Sequence, residues 1–313
     1  MAWASYDIAN ATYATVVATA VYNAYFANVI AGPASHLEKG VGTLLLTLVI
    51  CIASLLIVVT APILGTISDA TASKKLILFV STFICIIATA LLSLCGAGAV
   101  LPAMLLLIVA NTSFGTGEDL IAAFLPELAT RDDMGRISSL GWAAGYVGGL
   151  LSLGLCLAYV SWAMHQNMAS TEYVPIVMLF CAIFFGVASL PTFIYLKERA
   201  VPDPDAMGKN PVTTGFQRLK VTITHARHYR DLFRFLITLF LYSCGTTTTF
   251  IWLCPARTQI PHPVSIIMIL VVNLTAAIGA TIFGYVQDRI GSVKTLMITL
   301  SIWMVAITVA AAP

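Results

Sequence analysis

Nine runs of mostly apolar residues, each near 20 residues long, occupy most of the chain, at 8–30, 42–66, 76–97, 100–124, 138–161, 174–196, 232–254, 264–286 and 295–312. A helix rises 1.5 Å per residue, so runs of this length match a hydrocarbon core of about 30 Å. They predict nine membrane-spanning helices. Composition agrees: 59% of the 313 residues are hydrophobic and only 10% are charged, too few to cover the surface of a water-soluble fold of this size. The expected fold is all-α, a polytopic helical membrane protein. The first run has no basic residues before it and is too long and too polar for a cleaved leader, so it reads as a retained span.

The 16 basic residues set the orientation. Alternate connections hold fourteen of them (Lys74, Lys75, Arg131, Arg136, Lys197, Arg199, Lys209, Arg218, Lys220, Arg227, Arg230, Arg234, Arg289 and Lys294), and the other side holds Lys39 and Arg257. The positive-inside rule then places the amino terminus and the long 197–230 connection in the cytoplasm and the carboxyl terminus outside. The net charge of +2 is accounted for by this topology, and no basic stripe suggests nucleic acid. The seven cysteines (Cys51, Cys85, Cys95, Cys156, Cys181, Cys244 and Cys254) lie in or at the ends of spans without Cys-x-x-Cys spacing, so neither disulfides nor a zinc site is expected. His225 and His228 lack a third ligand nearby, and no metal or other cofactor is expected.

One short signature occurs twice. Gly65-Thr-Ile-Ser-Asp69 with Lys74 and Lys75 behind it, and Gly284-Tyr-Val-Gln-Asp288-Arg289-Ile-Gly291 with Lys294 behind it, each lie between two apolar runs. Each fits a sharp reversal at the membrane surface, where the acid can bond helix-end amides and the cations stay among the headgroups. Repetition at matching places indicates duplicated halves, an architecture of many secondary transporters. The expected organisation is a six-span bundle at 1–196, a cytoplasmic linker at 197–230 and three spans of a second bundle at 231–313. In the linker, Phe216, Leu219, Ile223 and Ala226 recur at helical spacing. That pattern suits an interfacial helix, with a mobile basic linker as the alternative.

Several polar residues stand inside the apolar runs. Tyr6, Asn10 and Tyr13 share one face of span one, with Asp7 near its cytoplasmic end. The face suits the lining of a substrate cavity, while Asp7 reads equally as a proton or amine partner and as a cap for the span. Glu118 and Asp119 form the deepest acidic pair that hydropathy allows. They are candidates for coupling or gating, although about 26 Å along their helix they also approach the interface, where a carboxylate costs little. Tyr242 to Gly245 and the run Thr246 to Thr249 open the seventh span in the same way, and Thr247 and Thr248 there could face the pathway or bond back to their own helix. Gly141, Gly145 and Gly149 recur every four residues in span five, with Gly148 and Gly154 nearby. Such a stripe supports close helix packing, which in a transporter can also slide.

At Tyr6-Asp7-Ile-Ala9-Asn10-Ala-Thr-Tyr13 the chain resembles the vacuole effluxer family of the major facilitator superfamily, whose eukaryotic members are autophagy-related amino acid exporters. The match continues through Pro62 to Asp69, Phe124-Leu-Pro-Glu127-Leu, Ser138-Ser-Leu-Gly-Trp142-Ala-Ala-Gly-Tyr146-Val-Gly-Gly149, Arg234-Phe-Leu, Tyr242 with Gly245 and Thr248, and Gly284 to Lys294. The resemblance implies a secondary transporter in the bacterial inner membrane, or in the vacuolar membrane of a eukaryote, that exports amino acids or related metabolites by alternating access and has protons as a candidate coupling ion. Asp7, Asn10, Tyr13 and Tyr146 would line the pathway. Glu118 and Asp119 would couple or gate it, and the Asp69 and Asp288 turns would latch its cytoplasmic side with Arg136 and Arg289. Ala70 stands where the superfamily turn has Arg, which shifts the first latch toward Lys74 and Lys75, and Cys244 stands where the family has an acid. The superfamily fold has twelve spans, against nine here. The rival expectation is a membrane protein that only packs or binds a partner. No His-Glu-x-x-His or Gly-x-Ser-x-Gly motif supports an enzyme.

Overall fold

The computed structural model describes residues 2–32, 40–130, 133–199, 210–226, 230–253 and 262–311, excepting the side chains of 223, 225, 226, 230, 232, 245–253, 262–270 and 309–311. Among the described residues all regular structure is helical. Among the described residues five helices are long and apolar enough to cross a membrane: α3 (Val41–Thr71), α4 (Lys74–Leu92), α5 (Val100–Ala122) continued by the short α6 (Leu125–Leu128), α7 (Met134–His165) and α8 (Ser170–Tyr195). The 32 residues of α7 make about 48 Å of helix, enough to leave the bilayer at one end. Then come α9 (Pro211–Ala226), within the 197–230 connection, and α10 (Arg230–Leu253), α11 (His262–Ile290) and α12 (Ser292–Ala311).

The first run folds less regularly than its hydropathy predicts. It starts as α1 (Ala4–Thr12), widens into a π-helical stretch at Tyr13–Ala20, passes through the α-helical turn α2 (Tyr22–Tyr25) and widens again at Phe26–Ile30. The Val21 amide donates to the Val16 carbonyl at 2.9 Å and the Ala31 amide to Phe26 at 2.8 Å, five residues back in each case. Such i→i−5 bonds fatten the helix locally and are frequent at functional sites.

Two compact units divide the chain: 1–58 with 73–200 and 272–313, and 59–72 with 201–271. In the first, α1 packs chiefly on α7 and α8, and α4 on α5 and α8. The start of α1 is fastened by polar contacts. The Trp3 indole donates to the Ile121 carbonyl at 2.8 Å, the Tyr6 hydroxyl bonds Thr82 at 2.8 Å, and Ser5 and Thr192 share a bond at 3.0 Å. Trp3, Tyr6, Leu78, Leu120, Ile121, Phe124 and Leu196 close a buried cluster around them. Each bond satisfies a polar group that hydrocarbon would leave without a partner.

In the second unit, α9 lies against the end of α3. A side chain at Gly215 would stand 2.6 Å from the Pro62 carbonyl oxygen, so glycine permits the approach, and Arg218 reaches Asp69 at 3.6 Å. Phe216 and Leu219 remain 41% and 40% exposed, an apolar face of this helix that the described residues leave partly uncovered.

Both copies of the repeated turn pass through a residue of positive φ at the same position. Seven residues after its first glycine, the second copy places Gly291 at φ +87°, where its amide closes α11 on Gln287 at 2.9 Å. The corresponding residue of the first copy is Ala72, at φ +47°. Left-handed backbone costs a residue with a Cβ about 1–2 kcal/mol and glycine almost nothing. Ala72→Gly is therefore expected to raise stability by up to about 1 kcal/mol, after allowing for the freedom glycine adds to the unfolded chain, and Gly291→Ala to lower it by about 1 kcal/mol. Thermal unfolding of the purified protein checks both, and a drop in Tm for Ala72→Gly would contradict the assigned conformation.

Candidate functional site

A cavity of about 160 Å³ opens where α1, α5, α7 and α11 meet, with room for the liquid volume of about five waters. From α1 it takes Asp7, Asn10 and Ala11, and from the π-helical stretch that continues it Ala14 and Thr15, spaced i, i+3, i+4, i+7 and i+8 along one side of the segment. Phe114 and Glu118 come from α5, Trp142, Gly145 and Tyr146 from α7, and Asn273 from α11. Two carboxylates and two carboxamides thus face a small space, and none of the lining residues is Lys, Arg or His.

Glycines of α7 bring that wall into place. A Cβ at Gly148 would lie 2.6 Å from Ile8 Cγ2 and 2.8 Å from Ile8 Cα, and one at Gly145 3.2 Å from the Asp7 carbonyl oxygen. At Gly149 it would meet Thr15 Cγ2 at 3.1 Å, and at Gly141 it would strike Trp3 and Asp7. Lipid supplies no hydrophobic drive between helices, so backbone proximity of this kind provides the packing. The predicted stripe is a contact surface for α1.

The Tyr6, Asn10 and Tyr13 face of span one shares only Asn10 with this lining. Tyr6 and Tyr13 lie about 100° around the helix from the cavity's centre line, since each residue turns the helix by that much. Tyr13 is only 2% exposed and stacks on Phe114 with ring centres 4.8 Å apart, so it stands behind the cavity wall and not on it. Its hydroxyl and the Asn10 Oδ1 atom are buried without a hydrogen-bond partner among the described residues. Asp7, Asn10, Tyr146 and Glu118 come together in the cavity; Glu118 and Asp119 are both exposed, and Asp119 is outside the lining. Thr247 and Thr248 lie on α10, with side chains outside the described residues.

The charged turns have separate surroundings. Lys74 Nζ meets Glu127 at 2.8 Å with both side chains largely buried, and the Lys74 and Lys75 amides donate to Glu198 at 2.6 and 3.3 Å. Lys75 Nζ donates to the Leu196 carbonyl at 2.7 Å. Both lysines are thus engaged with the ends of α6 and α8 in the first half of the chain. Glu198 caps α4, a role for an anion at the positive end of a helix.

Asp288 lies against Gly135 in the first turn of α7, and a Cβ at Gly284 would strike Ser139. Arg136 covers the Tyr285 ring at 5.4 Å. A second cleft of 690 Å³ beside this contact is lined by Ser138, Ser139, Gln287, Asp288 and Ser292 among others. Arg289 is exposed at the end of α11. Sequence reasoning missed Phe114, Glu198 and Asn273. Of these Asn273 carried a signal, a carboxamide in the middle of an apolar run.

The family described as vacuole effluxer Atg22 like matches residues 43–136 and 131–312. The uncharacterized MFS-type transporter YxiO of Bacillus subtilis is 26% identical over 311 residues, covering 97% of this chain and 71% of that protein. Autophagy-related protein 22-2 of Aspergillus clavatus is 29% identical over 175 residues, 52% of this chain and 28% of its own length. Among solved structures, the major facilitator superfamily proton:xylose symporter XylE bound to 6-bromo-6-deoxy-D-glucose has the same fold, with a TM-score of 0.61 at 14% identity over 93% of this chain and 68% of that one.

The two acids at the turns differ in burial, and their neutralisation should differ in cost. Glu127→Gln is expected to destabilise by about 1–3 kcal/mol because it breaks a largely buried charged pair, and Asp69→Asn by less than about 0.5 kcal/mol because its partner Arg218 is 41% exposed. Denaturation midpoints of the two variants check this, and equal losses would contradict it.

Proposed function

The chain belongs to the vacuole effluxer Atg22-like family of major facilitator membrane transporters, and we propose that the cavity between α1, α5, α7 and α11 binds a small amino acid or related amine-bearing metabolite for export. The observation that carries this reading is the pairing of Asp7 with Glu118 around about 160 Å³ of space that no lining cation neutralises. Two like charges facing one small cavity repel, and an ammonium group or a proton entering between them relieves that repulsion. The same two acids therefore serve substrate and coupling proton in turn. Asn10 and Asn273 offer donors and acceptors to a carboxylate or amide of the solute, and Phe114 and Trp142 close the apolar walls.

Alternating access would run between the bundle at 1–196 and the one that begins near 231, joined by the linker at 197–230 and its interfacial helix. By the positive-inside rule the Asp288 turn, Arg136 and the charged network at Lys74 face the cytoplasm, and in a bacterium the host is the inner membrane. The Asp288 contact with the start of α7 and the Arg136–Tyr285 contact would then latch the cytoplasmic side. Release of a helix N-terminus by an acid is a small, reversible electrostatic step, suited to a gate.

Counterflow of labelled amino acids into proteoliposomes tests the proposal. Small neutral amino acids are expected to exchange, Asp7→Asn and Glu118→Gln each to lower the rate at least about tenfold, and Asp119→Asn to leave it within about twofold. No exchange across a broad panel of amino acids and amines would sink the proposal and favour a protein that only packs or binds a partner.

A further inference from the structure

We propose that this protein holds one anionic phospholipid in a third cleft, where the start of α1, the start of α7 and the segment after α8 meet. This site is separate from the substrate cavity and does not rest on its assignment. The cleft measures about 370 Å³, within the range of small-molecule sites. Trp3, Leu128, Ile137 and Leu140 form apolar walls, and Lys197 and Arg199 are the charged residues of its lining.

The local charge is not balanced. Glu127 already accepts from Lys74 Nζ at 2.8 Å and from the Arg199 amide at 3.2 Å, and Glu198 is taken up by the first two amides of α4. Lys197 has no ion-pair partner among the described residues and is exposed. The Arg199 guanidinium makes one long contact, 3.5 Å to the Glu127 carbonyl oxygen, and keeps its remaining donors for another anion.

Depth supports a lipid over a soluble anion. Lys197 and Arg199 follow α8 within four residues of its end at Tyr195, and α7 begins at Met134, so the cations sit where two long apolar helices give way to polar chain. Leu140 on the cleft wall is 38% exposed and faces outward from the helix packing. A ligand matching both parts needs a hydrocarbon tail for the cleft and a negative head for the two cations. A phospholipid with a net negative headgroup has both, and basic pockets between membrane helices bind such headgroups. A free phosphate or sugar phosphate would leave the apolar walls unmatched.

The test titrates palmitoyl-oleoyl phosphatidylglycerol or palmitoyl-oleoyl phosphatidylcholine into the full chain in detergent and follows Tm, with glycerol 3-phosphate as the headgroup alone. Phosphatidylglycerol is expected to raise Tm saturably at a midpoint roughly tenfold below that of phosphatidylcholine, with no effect of glycerol 3-phosphate. Lys197→Gln, at an exposed and unpaired position, is expected to bring the two midpoints within about threefold while leaving Tm in plain detergent unchanged. Leu140→Trp should abolish the phosphatidylglycerol response by filling the cleft with the charges intact. Equal midpoints for the two lipids, an unaltered preference in Lys197→Gln, or a full response to glycerol 3-phosphate would each overturn the proposal.

Discussion

Close approach of α1 to the glycine face of α7 is the constraint on which the rest depends. With Ile8 seated on Gly148, Asp7 on Gly145 and Thr15 on Gly149, the two backbones come nearer than side chains would allow. That contact turns the Asp7, Asn10, Ala11, Ala14 and Thr15 stripe toward α5 and α11 and creates the polar cavity. The opposite side of α1 then has to be satisfied elsewhere, and Trp3, Ser5 and Tyr6 find partners on α5, α8 and α4. Small residues on one side and hydrogen bonds on the other hold a helix too polar to face lipid.

The duplicated turn illustrates how one local design serves two surroundings. Both copies reverse the chain through a left-handed residue, glycine in one and alanine in the other. Asp69 meets an arginine of the linker helix, whereas Asp288 meets the start of α7, where Gly135 leaves room for a carboxylate. Position in the repeat determines the fold of the turn, and its neighbours determine the electrostatic partner. The basic end therefore combines one helix-terminus contact with a separate network of Lys74, Glu127 and Glu198 that fastens three connections of the first half.

Most of the architecture was legible because hydropathy and length act through a single physical demand, that backbone groups in lipid be satisfied within a helix. The long helices from α3 to α8 follow the predicted runs closely, and the glycine stripe announced its packing. The site was only partly legible. Asp7, Asn10 and Glu118, which stand out by polarity, and Tyr146, which the resemblance points to, lie on the cavity lining, whereas Tyr13 stands behind it, because the lining stripe is marked by small residues such as Ala11 and Ala14. The π-helical stretches after Tyr13 left no trace in composition, since they arise from how that segment meets its neighbours. Glu198 was equally hidden: its value lies in reaching the amides of α4 across more than a hundred residues of sequence.

The claim at the centre is that the cavity between α1, α5, α7 and α11 is the place where solute sits. Its most direct test is the labelling of Ala14→Cys, with the native cysteines replaced, by a small hydrophilic thiol reagent in the presence and absence of transported amino acid. Ala14 lines the cavity with a side chain small enough to exchange for cysteine. Labelling that is rapid without solute and slowed several-fold at saturating solute is expected. Labelling that never occurs, or that proceeds equally with and without a solute the protein demonstrably transports, would contradict it.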